Sequence, residues 1–164
     1  MEIGVQEGSH SRFIVWILQP SKHVCVDTWE DIDWSHKSEV YYKDSYKIAQ
    51  ERLGEFPCVQ FVKESSQTAL PKMEDDSFDF IYIDGDHSTS QCENDIRNGI
   101  RLVRNYGILG GHDHGGFPYI ARKSNGENGV VAAVNNVFDG YFVDAHAGDW
   151  WVVVLPEMKQ LIHA

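Results

Sequence analysis

Two short stretches concentrate carboxylates and imidazoles: Asp84-Gly85-Asp86-His87 and His112-Asp113-His114. Each directly follows an apolar run, Phe78–Ile83 in the first case and Tyr106–Leu109 in the second, so each is expected at the tip of a buried strand. Acids and imidazoles on two adjacent strand tips make a natural site for a divalent cation, and oxygen-rich sites suit Mg or Mn. A plainer reading has the aspartates capping helices and the histidines bonding to loops. That accounts for Asp86 or Ser88 but poorly for Asp84, His112 and Asp113 together. His87 is the candidate for proton transfer, because an unperturbed imidazole titrates near working pH.

A second group of residues suits a nucleoside ligand. Glu2, Gly4, Gln6, Gly8 and Ser9 lie in a loop between a first strand and the helix it opens. Glycines there let the backbone turn sharply and approach a ligand, and the helix N-terminus presents free N–H groups. The dinucleotide pattern G-x-G-x-x-G is not met, since Gln6 stands where its second glycine would be. An ordinary glycine turn explains the loop equally well. Asp27 ends a second strand, where an acid accepts hydrogen bonds from a ribose diol, or else caps a helix. Ser66-Gln67 follows a third strand and could bond a base edge or cap the next turn. His10, His23, His36, His146 and His163 have no such context and are expected on the surface or in loops. Trp150-Trp151 reads as one residue in and one out of a strand, and Trp29 could flank a bound adenosine.

These residues need elements to hold them. Strands are expected at Ile3–Val5, His23–Thr28, Val59–Val62, Phe78–Ile83 and Tyr106–Leu109. Helices are expected over a segment capped by Ser9, with Phe13, Ile14, Ile17 and Leu18 as its apolar face, over Asp44–Leu53 closed by Gly54, over Ser88–Arg104 and over Asn128–Phe138. Tyr141–Ala145 and Trp150–Leu155 read as a closing antiparallel pair. Strands alternating with helices, and too apolar for a one-sided sheet, predict a three-layer α/β/α sandwich, with Asp33–Lys47 the one long polar loop. Ligands of such sheets bind outside the carboxyl ends of the strands, where all the polar clusters fall.

Composition narrows the function further. The chain has 164 residues, with 14 Lys+Arg against 25 Asp+Glu, a net charge of −11. One domain over residues 1–164 is expected. The acidic balance argues against a grip on nucleic-acid phosphates or an anionic membrane surface. The longest apolar run, Phe13–Leu18, falls far short of the roughly 20 residues that span a bilayer. Three cysteines, Cys25, Cys58 and Cys92, form no CxxC and suit a reducing compartment, so a cytoplasmic location is expected.

Read together, FDFIYIDGDHS, the helix after it and YGILGGHDH resemble the class I S-adenosylmethionine-dependent methyltransferases, in particular family 24 and the macrocin O-methyltransferases, a likeness running from Glu2 to about Phe117. The resemblance implies a seven-stranded, mostly parallel, Rossmann-like sheet in the order 3-2-1-4-5-7-6, with strand 7 antiparallel. It places the Glu2–Gly8 loop and Ser9 around the methionine part of S-adenosylmethionine. Asp27 falls on the ribose, Ser66-Gln67 beside the adenine, and Asp84 among the cofactor contacts. Asp84, His112 and Asp113 match metal-ligand positions, and His87 matches the general base. Two departures stand out: His112 replaces the family's usual acid, and the chain begins almost inside its first strand, so the preceding strand residues and cover helices are expected to be short or missing. The function expected is metal-assisted methyl transfer to a hydroxyl of a small-molecule acceptor, such as a sugar or phenol, by a chain that could form a homo-oligomer. Alternatives are a metal-dependent hydrolase built on Asp84, His87, His112, Asp113 and His114, and a non-catalytic cofactor-binding module.

Overall fold

A computed structural model describes residues 1–30, 44–115, 129–144 and 146–162. Its strands are β1 (Glu2–Ile3), β2 (His23–Asp27), β3 (Val59–Lys63), β4 (Phe78–Ile83), β5 (Val103–Gly111), β6 (Phe142–Asp144) and β7 (Asp149–Val153). The helices are α1 (Ser9–Leu18), α2 (Ser45–Leu53), α3 (Ser66–Ala69), α4 (Thr89–Leu102), α5 (Gly129–Val137) and α6 (Pro156–Ile162), and a 3-10 turn over Leu70–Lys72 follows α3. The seven strands form one sheet in the order β3-β2-β1-β4-β5-β7-β6. Strands β1 to β5 pair in parallel, while β7 runs antiparallel to both β5 and β6. This is the expected Rossmann-like order.

Two separate cores establish the layers. Val24 and Val26 of β2 join a large cluster with Ile81 and Ile83 of β4, Ile96 and Ile100 of α4 and Val130 and Val134 of α5. Cys25, between those valines, belongs instead to a smaller cluster with Val5, Trp29, Ala49 and Leu53. Successive strand residues point to opposite faces, so β2 is covered on both sides. The β5–β7–β6 end differs. Leu109, Trp150 and Val152 are buried, but Ile108, Trp151, Val153 and Phe142 on the other face are exposed. Phe142 and Trp151 stack with ring centroids 4.2 Å apart. A sheet covered on both faces throughout was expected; among the described residues, this end has one covered face.

Other departures have local causes. Helix α1 buries Ser11, Ile14 and Val15, while Phe13, Ile17 and Leu18 face outward. A helix apolar on nearly all sides does not reveal by periodicity which side turns inward. Its N-cap is Gly8 at φ 76°, not Ser9. Strand β5 extends beyond the expected Tyr106–Leu109, beginning directly where α4 ends, because Arg104 and Asn105 disguise a strand with a register shift opposite Phe78–Phe80. Most of the polar stretch Asp33–Lys47 lies outside the described residues, and Ser45–Lys47 already belong to α2. No helix among the described residues is long and apolar enough to cross a membrane.

Candidate active site

The glycine loop is fastened on three sides. Gly4 donates its N–H to the Val26 carbonyl at 2.9 Å, and a Cβ on it would lie 2.1 Å from the Asp84 carbonyl oxygen. That spacing and its φ of +83° admit only glycine here. A Cβ on Gly8 would lie 2.8 Å from Leu53 Cδ1 of α2. Asp27 Oδ2 accepts from the N–H groups of Val5 and Gln6 at 2.7 and 2.8 Å, and its Oδ1 from that of Trp29 at 2.8 Å. Trp29 Nε1 donates to the Gln6 carbonyl at 2.7 Å and its ring is buried against Tyr46 and Phe61. Arg52 donates to the Glu7 carbonyl at 2.8 Å and to Ser9 Oγ at 2.6 Å. These bonds hold the loop to β2 and α2. A carboxylate offers about four acceptor positions, so Asp27 retains one for a ligand hydroxyl.

Glu2 turns inward. It is 1% exposed, and its carboxylate accepts from Ser11 Oγ and pairs with His10 Nδ1 at 2.9 Å. Ser11 Oγ also meets His23 Nε2 at 2.9 Å and Cys25 Sγ at 3.3 Å. His23 is therefore a core residue rather than a surface one, and burial pushes its pKa down to about 4. His10, expected on the surface or in a loop, instead sits in the first turn of α1: its ring lies 4.3 Å from Tyr82, and its pKa is raised first by the Glu2 hydrogen bond. The signal was present, since His10 stands next to a helix start. Nothing in the sequence showed that Glu2 would face it.

The acid and histidine clusters meet at the ends of β4 and β5. His87 Nε2 lies 3.1 Å from Asp113 Oδ2 and 3.7 Å from Asp84 Oδ1. One ligand atom from each of Asp84, His87 and Asp113 falls within 4.8 Å of the others, a donor set that fits a divalent cation. His112 stands beside this group, with Nδ1 3.2 Å from Asp113 Oδ1 and 4.0 Å from Asp84 Oδ1. Its Nε2 is 4.0 Å from Asp149 Oδ1, which also accepts from the Tyr82 hydroxyl at 2.8 Å. The pKa of His87 is raised, first by hydrogen bonding to Asp84 and then by the charges of Asp113, Asp84 and Asp86, against the opposing effect of burial. Asp113 holds φ +60°, a left-handed conformation that a short acid tolerates and that aims its carboxylate into the cluster. His114 is turned away, its Nε2 2.8 Å from the Tyr141 hydroxyl.

On the far side of the loop, Ser66 and Gln67 open α3, whose cap is Ser65: its Oγ accepts from the Gln67 N–H at 3.2 Å. An open pocket of about 320 Å³ is lined by Gln67, Ser90, Gln91 and Asn94. The polar groups singled out from the sequence thus occupy one edge of the sheet, except Glu2, which reaches that edge only through His10.

Comparison with known proteins now bears on this geometry. Residues 1–114 match the family model described as Methyltransferase domain. The chain belongs to methyltransferase family 24. It is a class I S-adenosylmethionine-dependent methyltransferase by family and fold. An O-methyltransferase from Bacillus cereus in complex with SAH aligns with this methyltransferase at a TM-score of 0.64 and 14% identity, over 93% of this chain and 72% of that one. Cofactor-bound Rv0187 from MTB aligns at 0.61 and 17%, over 93% and 71%. A phosphoethanolamine N-methyltransferase from Haemonchus contortus aligns at 0.55 and 13%, over 73% and 22%. At such identities these likenesses speak for the shared sheet, which carries both O- and N-methyl transfer. No curated protein matches the sequence.

Proposed function

We propose that this methyltransferase moves the methyl group of S-adenosylmethionine to a hydroxyl of a small acceptor, with a divalent cation, Mg or Mn, held by Asp84 and Asp113. The observation that carries the reading is the contact of Gly4 with the Asp84 carbonyl, which sets the cofactor loop directly against the acid cluster. Bound S-adenosylmethionine supplies a methyl group already activated on a sulfonium, so the chain has only to align an oxygen with it and promote its ionisation. Asp27 offers its spare acceptor position to the ribose, Gly4 to Ser9 enclose the methionine end, and Ser66 and Gln67 meet the base. Asp84 and Asp113 would hold the cation, which would supply positive charge that lowers the pKa of an acceptor hydroxyl and offsets the field of the acids around His87. His87, poised against both acids, then takes the acceptor's proton, and His112 lends its imidazole to the cation. His87 cannot be ligand and base at once, and its variants distinguish these roles.

Titration calorimetry with S-adenosylhomocysteine tests the cofactor reading: micromolar binding is expected, and its absence from the folded chain defeats it. His87→Ala should retain cofactor and Mn affinity while turnover on a hydroxylated acceptor falls by about 10²–10⁴-fold. Loss of Mn binding in that variant would make His87 a ligand instead. Cofactor binding without turnover on any acceptor would favour a binding module. With the family shown, the hydrolase alternative has no observation in its favour.

A further inference from the structure

Behind the pocket that carries Gln67 lies a buried acid that the mechanism above does not use. Asp95, on α4, is 1% exposed. Its Oδ1 accepts from Gln91 Nε2 at 3.1 Å, and the Ser66 hydroxyl bonds to the same carboxylate. Gln91 Nε2 also donates to Ser66 Oγ at 3.0 Å, so both amide hydrogens of Gln91 are engaged. Its carbonyl oxygen, Oε1, accepts from Gln67 Nε2.

The direction of this chain is dictated by chemistry. An ionised carboxylate only accepts, so the Gln91 atom facing it must be the nitrogen. Gln91 then presents its oxygen to Gln67, and Gln67 must answer with its own nitrogen. An amide is planar, so the Gln67 carbonyl oxygen lies on the branch turned away from Gln91, at the exposed end of the chain. Burial pushes the Asp95 pKa up to about 6, which still leaves the group ionised at neutral pH.

We propose that Asp95 is a specificity-positioning residue: acting through Gln91, it fixes the Gln67 amide so that a hydrogen-bond acceptor meets the 6-amino group of the cofactor's adenine. This rests on the cofactor reading above. Asp95 touches no ligand itself; it sets which base edge Gln67 complements.

The test compares S-adenosylhomocysteine with S-inosylhomocysteine, whose 6-oxo group accepts where adenine donates, by calorimetry on the full chain at neutral pH. Wild type should prefer the adenine compound by about tenfold or more, because a mismatched edge leaves a polar group unpaired. Asp95→Asn has the same shape but can offer Gln91 either a donor or an acceptor, so the preference should fall below about threefold. The double variant Asp95→Asn with Gln91→Glu exchanges donor and acceptor within the pair and again gives Gln67 an acceptor, so it should restore the preference. A purely structural role predicts no such rescue. Gln91→Leu, at a half-buried position, severs the chain should Asp95→Asn fail to fold, and it too should lose the preference. A wild type that binds both compounds equally, or an Asp95→Asn or Gln91→Leu variant that discriminates as wild type does, overturns the proposal. A wild type that binds neither overturns the cofactor reading beneath it.

Discussion

At the scale of single residues, two buried titratable groups act against each other. His23 has a folded pKa of about 4, below the ordinary 6.5, so the unfolded chain takes up that proton first. The stability gained from keeping His23 neutral is complete above pH 6.5 and is lost as pH falls toward 4. Asp95 has a folded pKa of about 6, above the ordinary 3.8, so the native chain takes up that proton first. Its burial as a charged group costs stability above pH 6, and that cost is relieved as pH falls toward 3.8. Denaturant titrations at pH 7 and pH 5 separate the two. His23→Gln should remove on the order of 1–2 kcal/mol from the stability lost between those values. Asp95→Asn should be more stable than wild type at pH 7 and less distinguishable from it at pH 5. Equal pH slopes for wild type and His23→Gln would show that His23 is not buried neutral.

At the scale of elements, the active site depends on how closely β1 approaches the end of β4. Asp84 donates its N–H to the Ile3 carbonyl at 2.7 Å, and His112 donates its own to the Ile83 carbonyl at 3.0 Å, so three strand tips are hydrogen-bonded in a row. Gly4 fills the first of these junctions. Gly4→Ala should cost about 2 kcal/mol or more, since it combines a left-handed backbone with a backbone clash. Thermal melting reads the stability, and S-adenosylhomocysteine affinity should fall with it. An alanine variant of unchanged melting temperature and affinity would refute the tight junction. Helix α4 flanks the site: Ile96 and Ile100 are buried in the core, Gln91 lines the pocket beside Gln67, and the buried Asp95 lies behind it, bonded to Gln91. Ile96→Ala should therefore lower stability by roughly 2–5 kcal/mol, measured by denaturant unfolding, and a loss under about 1 kcal/mol would contradict its burial.

At the scale of the whole molecule, the two ends of the sheet differ in how the described residues cover them. The β3–β2–β1–β4 part is packed on both faces and carries the residues proposed to bind the cofactor. The β5–β7–β6 end leaves Ile108, Phe142, Trp151 and Val153 exposed on one face. Exposed apolar rows of this kind bind hydrophobic dyes. Trp151→Ser should reduce dye fluorescence severalfold while leaving the buried Trp150 and the fold in place; undiminished fluorescence would locate the bare surface elsewhere.

Strand number, order of elements and the edge where the polar clusters gather were legible in the sequence because apolar runs of three to six residues alternate with helical periodicity, and polar clusters sit at the carboxyl end of each run. Asp84, His87 and Asp113 could be named for the same reason: each follows a buried strand by a few residues, so its height in the molecule is set by the chain itself. What could not be read were relations across the sheet. His10 against Glu2, His23 against Ser11, the inward side of α1 and the Asp95–Gln91–Gln67 relay all join residues from different elements. Their pairing depends on side-chain direction and on how closely neighbouring strands and helices approach. Local pattern specifies which elements form and where they end; the packing of those elements alone decides which of their side chains share a proton, a ligand or a hydrogen bond.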